Sequence, residues 1–178
     1  ALPGDYLVST GYHGLSRLGL ALLRSEELPS TDKISPELIK KAIQAHRRPY
    51  PALKELKALI DCKPVLTSWR AAGTDSSDGI IESIRGICQS SNCQAVLSKS
   101  SLLKDPDWPT NPKWDDWFLY GGEDYELILS LPKRWASKLS KHLKSARIIG
   151  FTRKGKPKIL WDNLEEVNVD ESKLFQHF

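Results

Sequence analysis

Ile80, Ile81, Ile84, Ile87 and Cys88 fall at offsets 0, 1, 4, 7 and 8, the spacing of one face of an α-helix. So continuous an apolar stripe must be buried against a second layer, which commits the chain to a layered fold with a true core. A second constraint lies at Tyr125 to Leu131, where Tyr125, Leu127, Leu129 and Leu131 alternate with Glu126, Ile128 and Ser130. That period of two predicts a strand with one face fully apolar. The 178 residues, 40% hydrophobic and 27% charged, suffice for one domain burying about 70% of the surface its unfolded chain would expose. Disorder, collagen and a short disulfide-stapled fold are excluded.

Around these two segments the rest of the pattern falls into place. Tyr6 to Thr10 is rich in β-formers and stops at Gly11, predicting a strand. Gly14 to Arg24 carries Leu15, Leu18, Leu22 and Leu23 at helical spacing, and Gly19 inside it costs about 1 kcal/mol relative to Ala, which points to close backbone packing. Ser35-Pro36-Glu37 is a helix start, with Leu38, Ile39, Ala42 and Ile43 as its stripe and His46, Arg47 and Arg48 at its end. A short helix with Leu53, Leu56, Leu59 and Ile60 follows, then a strand expected from Val65 to Ala71. Asp75 or Ser77 is expected to cap the isoleucine helix. Beyond it come a short strand at Ala95 to Leu97, an irregular Trp/Pro insertion from Leu103 to Trp117, and a long helix marked by Trp135, Leu139, His142 and Leu143. A terminal hairpin is expected from Arg147 to Arg153 and Lys158 to Trp161. The predicted fold is α+β, a mixed sheet of about six strands with about four helices packed on one face, as a single unit over residues 1–178.

Several function classes fall away. The longest apolar stretch, Leu18 to Leu23, is far short of the roughly 20 residues that cross a bilayer, and no signal-like start is present, so a cytoplasmic protein is expected, with no membrane partner. Cys62, Cys88 and Cys93 form no paired C-x-x-C units, which speaks against a disulfide framework or zinc site. The net charge is +4, and the cations from Lys133 to Lys158 have no stacking aromatics alternating with them. They are read as a solvated face, not a nucleic-acid surface. No methionine occurs, and the opening Ala1-Leu2-Pro3-Gly4-Asp5 reads as the middle of a longer protein.

Three segments could carry chemistry. In Asp75-Ser76-Ser77-Asp78-Gly79 two carboxylates three residues apart can converge above a helix N-terminus, where they repel unless a cation lies between them. Magnesium suits such a pair, and a plain turn with an N-cap satisfies the same composition. In Tyr120-Gly121-Gly122-Glu123-Asp124-Tyr125-Glu126-Leu127 the paired glycines permit positive φ and put two acceptors at the mouth of a strand; a tight turn is the alternative. His46-Arg47-Arg48-Pro49-Tyr50-Pro51 could clamp a phosphate, or could simply answer a helix dipole.

Taken in order, Pro3-Gly4-Asp5 with Gly11, Gly14, Ser16 and Gly19, then His46 to Pro51, Asp75 to Gly79, Gly121 to Leu127 and the tail Phe175-Gln176-His177-Phe178 resemble the C-terminal half of the thiamine-monophosphate kinase family, within the aminoimidazole-ribonucleotide-synthetase-like superfamily. The Gly-Gly-Glu-Asp-Tyr-Glu-Leu block is the most specific part. Arg17 and Leu18 before Gly19, and Ser91-Asn92-Cys93-Gln94 after the isoleucine helix, depart from the family's small residues and glycines.

The resemblance implies transfer of the γ-phosphoryl group of ATP to thiamine monophosphate, with Mg2+ as cofactor and ATP as co-substrate. It implies Asp75 and Asp78 as magnesium ligands, Ser77 as a phosphate or metal contact, and Glu123 and Phe175 as contacts to the thiamine portion. It also implies that an N-terminal half carrying the homodimer interface and most of the ATP cleft is absent, so the isolated chain is expected to be inactive. A non-catalytic domain retaining the fold, or another ATP-using member of the superfamily, is the alternative.

Overall fold

The computed structural model describes residues 1–167. Six strands, β1 (Tyr6–Ser9), β2 (Ala72–Asp75), β3 (Cys93–Leu97), β4 (Leu127–Leu131), β5 (Arg147–Lys154) and β6 (Lys158–Trp161), form one sheet in the order β2-β4-β1-β5-β3-β6. Neighbours are antiparallel except β3 and β6, which run parallel. The helices are α1 (Leu15–Arg24), α2 (Pro36–Arg47), α3 (Leu53–Asp61), α4 (Ile80–Ser91), α5 (Asp115–Tyr120) and α6 (Lys133–His142).

The expected mixed six-stranded α+β fold is the fold adopted. Helices α1, α2, α4 and α5 pack on one side of the sheet around Leu18, Leu38, Ile80, Ile84 and Phe118. Two further helices, α3 and α6, cover the other face, where Leu59, Trp135 and Leu139 meet Val8, Leu129 and Leu131. Strand β4 is therefore apolar on both sides, Ile128 facing the first cluster and Leu129 and Leu131 the second. Helix α2 begins as its sequence dictates, with the Ser35 hydroxyl accepting from Leu38 N–H at 3.0 Å and Pro36 in the first turn.

Three local expectations need correction. Residues 65–71 form no strand, and Val65 and Leu66 stand 94% exposed. The Arg70 guanidinium reaches back to the buried Asp5 carboxylate, so the chain enters the sheet only at Ala72, where Ala72 to Asp75 pair with Ser130 to Leu127. Strands β5 and β6 are not hydrogen-bonded to each other as a hairpin, because the wholly buried β3 lies between them. The Trp/Pro segment is irregular at first, then closes through a 3₁₀ turn at Pro112–Trp114 into α5. Its Trp108 and Trp114 are core residues, stacked edge to face at 6.1 Å.

The three cysteines are free and buried, and among the described residues no helix is long and apolar enough to cross a membrane.

Candidate functional site

The two acidic motifs, some 45 residues apart in the chain, meet because β2 and β4 are neighbours. Asp75 pairs with Leu127 at the end of the ladder, so the loop leaving β2 and the loop entering β4 emerge side by side. They are then clasped. Glu123 N–H donates to the Ser77 carbonyl at 2.7 Å, Ser76 N–H to the Glu126 carbonyl at 2.8 Å, and Glu126 N–H to the Ser76 hydroxyl at 3.1 Å.

This clasp decides where α4 begins. With the Ser77 carbonyl committed to Glu123, the helix is capped neither by Ser77 nor by Asp75 but starts after Gly79, at φ 91°. A Cβ on Gly79 would stand 3.0 Å from the carbonyl oxygens of Tyr120 and Gly121, so both the dihedral and the close approach require glycine. Asp75 caps the turn instead, its Oδ1 accepting from Ser77 N–H at 3.1 Å.

The entry to β4 is strained in the same place. Glu123 and Tyr125 lie at φ 66° and 55°, in the left-handed region that non-glycine residues avoid, at a cost of order 1–3 kcal/mol each. The alternation beginning at Tyr125 therefore becomes strand only from Leu127.

Asp75 and Asp78 both line a cleft of about 530 Å³ between β2 and α4, shared with Gly73, Thr74, Glu82 and Ser83. The helix N-terminus there favours an anionic ligand, whereas the carboxylates repel one unless a cation intervenes. Among the described residues no three His, Cys, Asp or Glu side chains cluster as a metal cage. Two carboxylates on an open cleft instead fit a hard cation that keeps waters and shares phosphate oxygens.

Glu123 does not line this cleft. It sits across the Ser77 link, beside α1 and α2, with Oε2 3.5 Å from His46 Nδ1. A histidine thus stands beside the carboxylate expected to meet the thiamine portion. Phe175 lies outside the described residues.

Behind Glu123 is a buried polar layer that the sequence pattern did not reveal. The Asp124 carboxylate accepts from Gly14 N–H at 2.6 Å and Ser16 N–H at 2.9 Å, capping α1 from 108 residues away. Burial pushes its carboxyl up to about 7, against the opposing pull of the Ser16 and Gly14 N–H groups. His13 Nδ1 lies 4.0 Å from it, and complete burial drives that imidazole down to about 3. Glu126 accepts from the Thr10 hydroxyl at 2.6 Å; burial raises its carboxyl and the Thr10 bond partly counters the rise. The one sequence signal for this layer was the early run of Gly11, Gly14 and Ser16. Gly11 leaves the space its missing Cβ would take to the Glu126 carboxylate.

Set against known proteins, the sequence matches no family model. It is 46% identical over 179 residues to the thiamine-monophosphate kinase of Prochlorococcus marinus, covering 100% of this chain and 54% of that protein. To the thiamine-monophosphate kinase of Synechococcus elongatus it is 38% identical over 186 residues, again covering 100% of this chain and 53% of the relative. Among solved structures, one described as AaThiL complexed with AMPPCP and TMP superposes with a TM-score of 0.73 at 25% identity, over 100% of this chain and 52% of that one. The chain spans about half the length of the curated relatives it matches. Proteins named thiamine-monophosphate kinase thus match the chain over its whole length, and with the shared fold they make it the counterpart of the C-terminal half of such proteins.

Proposed function

We propose that this chain is the substrate-binding part of a kinase that transfers the γ-phosphoryl group of ATP to thiamine monophosphate, giving thiamine diphosphate and ADP. The observation that carries the reading is the clasp between Ser77 and Glu123, which fixes an acidic cleft on one side and a single carboxylate on the other within one rigid turn. The relatives' names, and the AMPPCP and TMP described with one of the solved structures, supply the substrate class.

In this reading Asp75 and Asp78 hold Mg2+, whose chemistry is to neutralise phosphate charge during in-line transfer. Ser77 offers its hydroxyl to a phosphate oxygen or the metal. Glu123 accepts from the N–H groups of the aminopyrimidine ring, orienting the ligand so that its phosphate lies toward the acidic cleft. Phe175 packs on one of its rings. A phosphate oxygen of thiamine monophosphate attacks the γ-phosphorus and the bond to the β-phosphate oxygen breaks, so no protein nucleophile takes part. The remaining length found in the relatives is proposed to bring most of the ATP cleft and the homodimer interface.

Calorimetric titration of the chain with thiamine monophosphate and Mg2+ tests this directly. Saturable binding that Glu123→Gln weakens is the expected result; heats no larger for thiamine monophosphate than for inorganic phosphate would sink the reading.

A further inference from the structure

Resting on that reading of Glu123, we infer that His46 and Ser16 are positioning residues for its carboxylate, delivered to it by the crossing of α1 and α2. The histidine belongs to the motif singled out as a phosphate clamp, and the geometry turns it to another use. His46 Nδ1 stands 3.1 Å from the Ser16 hydroxyl and 3.5 Å from Glu123 Oε2, whereas Arg47 and Arg48 are exposed.

The crossing has a sequence cause. A Cβ on Gly19 would overlap the Ala42 carbonyl and reach 2.9 Å from His46 Cβ. Only glycine lets α2 come this close, and the closeness sets the histidine ring over the first turn of α1, beside Ser16. Ser16 is itself fixed, since its N–H is held by Asp124 at 2.9 Å. Glu123 is fixed at its backbone by Ser77 and held at φ 66°. The carboxylate is therefore approached by a group whose own position is determined from two sides.

The chemistry follows from which nitrogen carries the proton. Nδ1 faces two oxygens. A bare lone pair there would oppose the Glu123 carboxylate, so the Nδ1–H tautomer is selected, its proton shared between the Ser16 Oγ and Glu123 Oε2. With Oε2 held, Oε1 is the atom offered to the ligand's N–H groups, in one orientation rather than several. The gain is in preorganisation.

Two measurements on the chain test the inference and separate it from the reading beneath it. By nitrogen-15 NMR, His46 is expected in the Nδ1–H tautomer, shifting toward Nε2–H in Glu123→Gln. An Nε2–H ring in the unmodified chain, or a tautomer indifferent to Glu123→Gln, overturns the inference without reference to any ligand. By titration, His46→Ala is expected to raise the Kd for thiamine monophosphate about tenfold. His46→Asn, whose amide N–H replaces Nδ1–H, should restore it to within about twofold, and His46→Ala should add nothing in a Glu123→Gln background. His46→Ala keeps the Cβ that packs against Gly19, so the helix crossing survives the change. If Glu123→Gln weakens binding and His46→Ala does not, the inference fails and the proposed function stands. If the unmodified chain does not bind, or Glu123→Gln leaves Kd unchanged, the proposed role of Glu123 fails, while the tautomer still decides whether His46 holds it.

Discussion

His13 and Asp124 face each other across 4.0 Å and their protonation pulls stability in opposite directions. Asp124 has its carboxyl raised to about 7 by burial, so its contribution is fully present below its unfolded value near 4 and is lost as pH rises toward 7. His13 has its imidazole lowered to about 3, so its contribution is present above about 6.5 and is lost as pH falls. Between about pH 4 and 6.5 the two slopes offset. Asp124→Asn removes one of them. Urea unfolding should show the variant further below the unmodified chain at pH 5 than at pH 7, and a gap equal at both values would refute the assignment. At Gly79 the expectation is steric. Gly79→Ala meets the two carbonyls 3.0 Å away at a strained dihedral, and should cost about 1–3 kcal/mol in unfolding free energy.

Helix α4 shows most plainly what the sequence could reveal. Its stripe of Ile80, Ile81, Ile84, Ile87 and Cys88 is the buried face in the structure, with Ile84 wholly inaccessible. Ile84→Ala should therefore lower stability by about 2–5 kcal/mol, seen as a lower urea midpoint with an unchanged slope. Its periodicity is local and could be read. The position of its first residue depends on a hydrogen bond to Glu123, which no window of sequence around Gly79 contains. The same division runs through the strands. Leu127 to Leu131 announces itself by composition, whereas the partners of β2, β3 and β6 are settled by which edges remain open. Hence the displaced strand at Ala72 and the separated pair at the end. In the site, Asp75, Asp78 and Glu123 could be picked out as acceptors beside glycines. Their division between a cleft and a histidine contact came only from the Ser77–Glu123 clasp and from the way α1 and α2 cross.

At the scale of the whole molecule, the proposed activity is divided. The chain alone should make negligible thiamine diphosphate from ATP and thiamine monophosphate. Joined behind the matching N-terminal portion of the Prochlorococcus marinus relative, it should turn over, and in that fusion Asp75→Asn or Asp78→Asn should lower kcat by about 10²-fold. Unimpaired kcat in both variants would return the acidic loop to a purely structural role. Charge is segregated as well. Between Leu131 and Trp161 the sequence holds ten Lys and Arg and no Asp or Glu, leaving the rest with more acids than bases. Retention on a cation exchanger should therefore exceed that of an evenly charged protein of the same net charge.

The order of the sheet has one more consequence, for how the chain comes into being. Strand β1 is the first of the six strands in sequence yet lies in the middle of the sheet, between β4 and β5, so both its partners are made more than a hundred residues later. During vectorial synthesis the segment made before β4 can form α1, α2 and α3 but cannot complete either of the ladders that Leu7 and Val8 make with β4 and β5. Contacts of such long sequence separation make folding slow and leave apolar edges open meanwhile. A nascent chain stalled before Leu127 thus carries a central strand whose sheet partners β4 and β5 are not yet made. Ribosome-bound intermediates of that length should be protease-sensitive and dependent on chaperones, and protection should arrive late and abruptly, once Lys154 has cleared the exit tunnel.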